Sequence, residues 1–113
     1  MRAVGLMVHG GPEVLQVVEV PEVHAGPGQV RVRVHAAAVN PTDIVGRNGG
    51  RARIQKKDPP PYVPGMDIAG IIDQVGDGVT TGVRVGDRVM AMVVPDGTHG
   101  AYREQIVLDQ RAV

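Results

Sequence analysis

The clearest alternation of apolar and polar positions begins at Gln29 and runs to Val34. Valines take every second place and basic residues lie between and after them: Val30, Arg31, Val32, Arg33, Val34 and His35. A period of two is typical of a strand with one buried face, so the valines are predicted to point inward and the basic side chains outward. The small residues that follow continue this predicted strand to Val39. A nonpolar helix is the alternative for the alanines, and Asn40-Pro41 would stop it.

Shorter apolar runs bounded by Gly and Pro predict five more strands. They cover Arg2–Val8, Leu15–Val20, Ile68–Val75, Arg88–Val94 and Ala101–Leu108. The first two are expected to pair as a hairpin, and hairpin-type turns are expected at residues 76–78 and 85–87. No segment repeats its apolar residues every 3.6 positions over several turns. The predicted fold class is therefore all-β with minor short helical turns, arranged as a small, partly open β-barrel.

The stretch from Val39 to Gly70 departs from this pattern. Asn40-Pro41 breaks a strand, Thr42 and Asp43 follow at once, and three prolines precede the glycine-framed segment GMDIAG. Thr42 to Arg47 is predicted to form one short helical turn, capped by Asn40 or Thr42. Residues 49–57 are basic and lack an apolar face, which predicts a solvated loop. Because the flanking segments resemble ordinary strands, this stretch is where we expect the chemistry.

The composition narrows the possible classes of protein. The 113 residues suffice for one domain, and the 12 basic and 12 acidic residues give zero net charge, which argues against nucleic-acid binding. The absence of cysteine excludes disulfides and thiolate metal sites. The apolar runs are far shorter than the roughly 20 residues that span a membrane, and the first residues do not resemble a signal peptide. A cytoplasmic protein without membrane contacts is expected.

Four sequence blocks follow one another in order between Val39 and Leu108. They are VNPTDIVGRNG from Val39, PGMDIAGIIDQVGDGV from Pro64, VRVGDRVMA from Val83 and GAYREQIVL from Gly100. These blocks resemble those of the medium-chain dehydrogenase/reductases, and the first resembles the signature of their zinc-independent quinone oxidoreductase (zeta-crystallin-like) branch. The resemblance implies a GroES-like barrel, which forms the N-terminal part of the catalytic domain in that superfamily.

The nucleotide-binding half implied by the resemblance has no counterpart in this sequence. Members of the superfamily bind NADPH on a Rossmann domain, which begins with a Gly-rich turn between a strand and a helix. None of the 16 glycines stands in a G-x-G-x-x-G motif. Residues 1–113 are therefore expected to be the GroES-like N-terminal domain of a longer two-domain protein.

Zinc-dependent members of the superfamily differ from this chain at their ligand positions. They carry Cys where this sequence has Asn40, and a His-Glu pair where it has Met66-Asp67. The histidines are scattered among turns and one strand face: His9, His24, His35 and His99. Since a catalytic zinc ion normally has three protein ligands, we predict that no metal is bound.

The resemblance assigns the two catalytic positions. It places Asn40 and Thr42 beside the nicotinamide end of NADPH and the substrate. There their N–H and O–H groups would stabilise the charge that builds on a carbonyl oxygen during hydride transfer. The alternative is that both residues only cap the helical turn.

The supporting residues have less direct roles. Asp43 can only accept hydrogen bonds when ionised, so it is expected to pair with Arg47 or with a backbone N–H. For Arg47 the alternative is a solvated side chain. Met66, with Asp67 beside it, is expected to fill the position of the metal pocket. Tyr62 could donate a proton or form a platform for the substrate, but packing against the proline-rich loop is favoured.

The function implied is that of an NADPH-dependent, metal-free oxidoreductase that reduces quinones or α,β-unsaturated carbonyls. The isolated chain is expected to be inactive and the complete protein to be a homodimer. Enoyl-thioester reduction is disfavoured, because residues 50–52 stand where such enzymes carry a tyrosine. The alternatives are a non-enzymatic GroES-like assembly module and a stand-alone partner of a separate Rossmann protein. Tyr102 is expected in the core, with its hydroxyl on a backbone partner.

Overall fold

The computed structural model describes residues 1–52, 58–96 and 99–113. Six strands lie in these residues: β1 (Arg2–Gly5), β2 (Gln16–Glu19), β3 (Gln29–Ala36), β4 (Asp67–Val75), β5 (Arg88–Met92) and β6 (Gln105–Asp109). They are joined by one α-helix, α1 (Pro41–Asn48), and by short 3₁₀ helices at Pro12–Val14 and Gln110–Ala112. The predicted all-β class is confirmed. No helix in the described ranges is long and apolar enough to cross a membrane.

The strands form two antiparallel sheets. The larger has the order β5-β4-β3-β6, and the smaller is the predicted hairpin of β1 and β2. Backbone hydrogen bonds from β1 to later segments join the hairpin to the body of the domain. The amide of Val4 donates to the carbonyl of Tyr102 over 2.8 Å, and that of Leu6 donates to the carbonyl of Tyr62 over 2.9 Å. The hairpin thereby covers one side of a curved, partly open barrel.

The core lies on the inner face of the larger sheet. Alternate residues of its four strands point inward, as the period of two requires. Val30 and Val32 on β3 and Ile72 on β4 have no exposed surface, which confirms the predicted direction of those two valines. A second cluster lies under the hairpin, where Ala3 and Val20 pack with Val63. All buried members of both clusters are aliphatic, because the chain has neither Phe nor Trp, and the half-buried Tyr102 packs against the second cluster.

Arg31 points to the outer face of the sheet, as predicted, but its side chain is largely covered there. Its side chain is only 15% exposed, because its Nε donates to Asp73 Oδ1 over 2.8 Å. Gln105 on β6 donates to the other oxygen of the same carboxylate over 2.6 Å. This polar network joins three neighbouring strands on the outer face of the sheet.

Several predicted strand ends also need correction. β1 ends at Gly5 instead of Val8, and β5 ends at Met92 instead of Val94. β3 ends at Ala36 instead of Val39, because the amide of Ala38 donates to the Asp67 carboxylate and not to a neighbouring strand. β6 begins at Gln105 and not at Ala101, since the amide of Ala101 donates to Gly65. The connection from β4 to β5 spans residues 76–87 and contains a turn at each of the two predicted positions. The predicted basic loop at 49–57 lies partly outside the described residues.

Candidate functional site

The helix α1 follows β3 after a link of four residues and places Asn40 and Thr42 at one end of the sheet. Asn40 is its N-cap, with the extended φ of −115° and ψ of 161°, and Pro41 occupies the first turn, where the missing N–H costs nothing. The helix ends at Gly49, whose φ of 98° is a left-handed conformation that glycine adopts readily. The predicted helical turn is thus confirmed and extends to eight residues.

Asp43 is the buried anchor of this end of the fold. Its exposed fraction is 5%, and each carboxylate oxygen accepts a backbone N–H. The amide of Asn40 donates to Oδ2 over 2.8 Å, and the amide of Gly65 donates to Oδ1 over 2.8 Å. Tyr102 donates its hydroxyl to Oδ2 over 3.1 Å. Three donors compensate for the removal of this carboxylate from water.

Asp67 holds the same segment from the other side. Its Oδ1 accepts the amide of Ala38 over 3.0 Å, and its Oδ2 accepts the side-chain Nδ2 of Asn40 over 3.1 Å. An ionised carboxylate has no proton to donate, so it selects the NH₂ side of the Asn40 amide group. The two aspartates therefore fix both the backbone and the side chain of Asn40.

An open groove of about 1030 Å³ runs along the end of the sheet beside these residues. Its floor is apolar, with the small side chains of residues 36–38 and Ala69, and its edge carries the exposed Met90 and Met92. Asn40, Thr42 and Asp67 form its polar end, and Met66 lies beside them. Four of the residues predicted for the site are therefore brought together.

Arg47 and Tyr62 lie outside the lining of that groove. Arg47 donates to the carbonyl of Gly10 over 2.8 Å and not to Asp43, so the backbone partners predicted for Asp43 are the correct alternative. The Tyr62 hydroxyl donates to the carbonyl of Asp58 over 3.1 Å, and its ring stacks on His9 with 5.5 Å between the centroids. The hydroxyl thus reaches the proline-rich loop, as the favoured interpretation expects, while the ring packs on His9.

Tyr102 was predicted to reach a backbone partner, and its main partner is a carboxylate instead. The hydroxyl lies 3.1 Å from Asp43 Oδ2 and 3.4 Å from the carbonyl of Ala38. Burial raises the pKa of Tyr102 well above its ordinary value, and the charge of Asp43 raises it further. The hydroxyl thus stays protonated and remains a donor at neutral pH.

Comparison with known proteins shows which family this domain belongs to. Residues 26–113 match the alcohol dehydrogenase GroES-like domain family. The chain belongs to this family. The rat (Rattus norvegicus) quinone oxidoreductase is 41% identical over 107 residues, which cover 90% of this chain and 30% of the relative. The predicted resemblance to the GroES-like domain of quinone oxidoreductases is thereby confirmed, and the chain spans about a third of the length of the curated relatives that it matches.

Solved structures agree with the sequence comparison. The quinone oxidoreductase from Coxiella burnetii superimposes with a TM-score of 0.85 at 32% identity, covering 96% of this chain and 34% of that one. The Escherichia coli quinone oxidoreductase complexed with NADPH gives a TM-score of 0.78 at 30% identity, over 99% of this chain and 32% of that one. These similarities establish an oxidoreductase-type GroES-like domain.

Within this GroES-like domain, sequence reasoning missed one member of the site. Tyr102 is 59 positions from Asp43 in the chain, and no local sequence pattern predicts a hydrogen bond between residues so far apart in sequence. Its block, GAYREQIVL, pointed only to the end of the barrel. Among the described residues no three His, Asp or Glu side chains cluster as metal ligands, and the absence of zinc stays a prediction.

Proposed function

We propose that this GroES-like domain forms the substrate side of an NADPH-dependent, metal-free oxidoreductase that reduces quinones or α,β-unsaturated carbonyls. A second domain of the complete protein would hold most of the NADPH. Two sets of relatives support the proposal: the curated quinone oxidoreductases and the structurally similar quinone oxidoreductase complexed with NADPH. A cytoplasmic location and a homodimeric assembly are further parts of it.

The observation that carries the proposal is the position of Asn40 at the polar end of an apolar groove. One N–H of its Nδ2 is held by Asp67, and an amide NH₂ group has a second N–H to offer. The small alanine side chains of the floor leave room for flat rings, as the nicotinamide and a quinone both require. NADPH, when bound, supplies the hydride.

Asn40 and Thr42 would act on the substrate oxygen. As the acceptor carbon gains the hydride, negative charge builds on the carbonyl oxygen, and a donor aimed at that oxygen stabilises it. Loss of one such donor costs about 3–4 kcal/mol in other enzymes. Asp67 has a negative charge of its own, so its role would be to orient the Asn40 amide and not to contact the oxyanion. Met66 would shape the apolar wall next to it.

The test is NADPH oxidation by the complete protein with 1,4-benzoquinone or an enone as acceptor. The variant Asn40→Ala is expected to lower kcat/KM about 100-fold or more, the effect of removing one oxyanion donor. The matched control is Asn48→Ala, at the exposed end of α1 and outside the groove, which is expected to leave kcat/KM unchanged. The isolated 113-residue chain is expected to be inactive.

Two outcomes would contradict the proposal. One is a well-folded complete protein that fails to oxidise NADPH whichever quinone or enone is supplied as acceptor. The other is an Asn40→Ala variant with the kcat/KM of the wild type. A bound metal ion needed for turnover, detected by loss of activity with a chelator and its return with zinc, would contradict the metal-free part.

A further inference from the structure

We propose that Tyr102 is a positioning residue for the groove, acting through Asp43 on Asn40. This inference rests on the proposed function, because it gives Tyr102 a role in the reaction assigned there to Asn40. Tyr102 lies outside the lining of the groove, so it would influence the reaction without touching substrate or cofactor.

The backbone around Tyr102 is fixed from two directions. Its carbonyl accepts the amide of Val4 on β1 over 2.8 Å, and its own amide donates to the carbonyl of Pro64 over 3.0 Å. The ring packs against the hairpin cluster under β1 and β2. Contacts with Val4 on β1, with Pro64 and with the hairpin cluster therefore hold the phenol in place, and the position of its hydroxyl is fixed.

That hydroxyl contacts the two ends of the segment that carries Asn40. It lies 3.4 Å from the carbonyl of Ala38 and 3.1 Å from Oδ2 of Asp43. A phenol has one proton, and the shorter contact, to a charged acceptor, is the stronger one. The same Oδ2 atom accepts the amide of Asn40 over 2.8 Å. Tyr102 thus sets the position of the oxygen that in turn holds Asn40.

Asp43 extends this link to the opposite wall. Its Oδ1 accepts the amide of Gly65, the residue before Met66 and Asp67. Asp67 then returns to the Asn40 side chain over 3.1 Å. Tyr102, Asp43, Asn40 and Asp67 form one chain of contacts, and the second N–H of the Asn40 side chain within it is the donor proposed to face the substrate oxygen. A rotated Asp43 carboxylate would move both walls relative to each other.

The variant Tyr102→Phe removes the hydroxyl and keeps the ring. In the complete protein it is expected to lower kcat for quinone reduction by roughly 10- to 100-fold, the range that a displacement of a catalytic group by up to about 1 Å produces. The KM for NADPH is expected to stay within about twofold, since most cofactor contacts would lie on the other domain. The matched control is Tyr62→Phe, whose hydroxyl donates to Asp58 at an exposed loop.

A double-mutant cycle separates positioning from general destabilisation. If Tyr102 acts through Asn40, Tyr102→Phe has no further effect on kcat in an Asn40→Ala background, because the group that it positions is already gone. Equal factors in both backgrounds would overturn the inference. So would a kcat for Tyr102→Phe equal to that of the wild type, or a kcat loss matched by Tyr62→Phe.

A readout without turnover keeps this inference distinct from the proposed function. The side-chain NH₂ resonances of Asn40, in a ¹H–¹⁵N spectrum of the complete protein, are expected to shift or broaden in Tyr102→Phe and to stay unchanged in Tyr62→Phe. If no acceptor is reduced but the resonances shift, the proposed reaction fails and the contact chain holds. If the acceptor is reduced and the resonances stay unchanged in Tyr102→Phe, the positioning inference fails alone.

Discussion

The replacement Asp43→Asn tests whether the buried carboxylate holds this end of the fold. Both of its oxygens accept a backbone N–H, from Asn40 on one side and Gly65 on the other. An asparagine in either orientation would direct its NH₂ group at one of these donors. The variant would therefore bury two donors face to face, whichever way the amide turns.

The size of the effect follows from these contacts. An unsatisfied buried donor costs about 1–3 kcal/mol. A hydrogen bond weakens by roughly 1 kcal/mol when its acceptor oxygen changes from charged to neutral. The neutral amide is easier to bury than the carboxylate, which offsets part of the loss. A fall of about 2–3 kcal/mol in the free energy of unfolding is expected. At roughly 4 °C per kcal/mol for a domain of this size, Tm falls by about 8–12 °C.

Urea denaturation followed by far-ultraviolet circular dichroism measures this change, since the chain has no tryptophan to report by fluorescence. The control is Asp77→Asn, the same chemical change at an exposed aspartate in the connection after β4. Its free energy of unfolding is expected to change by less than about 0.5 kcal/mol. If Asp43→Asn shifted the free energy of unfolding no more than this control, the role of Asp43 as an anchor would be refuted.

Two further predictions concern stability. Gly100→Ala is expected to lower the free energy of unfolding, measured by urea denaturation, by about 3 kcal/mol, because a Cβ there would overlap the backbone carbonyl of Val63. The control is Gly78→Ala. A Cβ at Gly78 meets open space, and only its φ of 75° opposes alanine, so a loss of about 1 kcal/mol is expected. Burial and Asp43 raise the pKa of Tyr102, so the folded state keeps a proton that the unfolded state releases near pH 10, and stability present below that pH is lost as the pH rises further. The urea midpoint of the wild type is expected to fall more steeply between pH 9 and 11 than that of Tyr102→Phe; parallel curves would contradict this.

The sequence predicted the parts of the fold that depend on local alternation. The valines of β3 and the apolar run of β4 predicted two central strands, and Asn40-Pro41 predicted the start of a helical turn. The resemblance of four blocks then gave the family. The boundary at Ala36 was missed because it is set by a contact to Asp67, which is 29 residues away from Ala38. A propensity for strand or helix contains no information about such a partner.

The candidate site was predictable in its members and not in its connections. Asn40, Thr42, Met66 and Asp67 could be located because they lie in recognisable blocks. On sequence alone Arg47 was an equally good candidate partner for Asp43, since both lie on one short helix. The preference of Asp43 for the amide of Gly65 depends on the path of the chain after the proline-rich loop, which only the folded structure defines.

The attachment of β1 to the end of the domain has a consequence for synthesis. Val4 bonds to Tyr102 and Arg2 to Glu104, contacts separated by about a hundred residues. At a translation rate of roughly 5–20 residues per second, the hairpin waits some 5–20 s for its partner. During that time the cluster of Ala3 and Val20, buried in the finished domain, lacks the cover that Tyr102 provides. β1 precedes these partners by about a hundred residues, so its docking is complete only after the Gly100–Glu104 segment has been made.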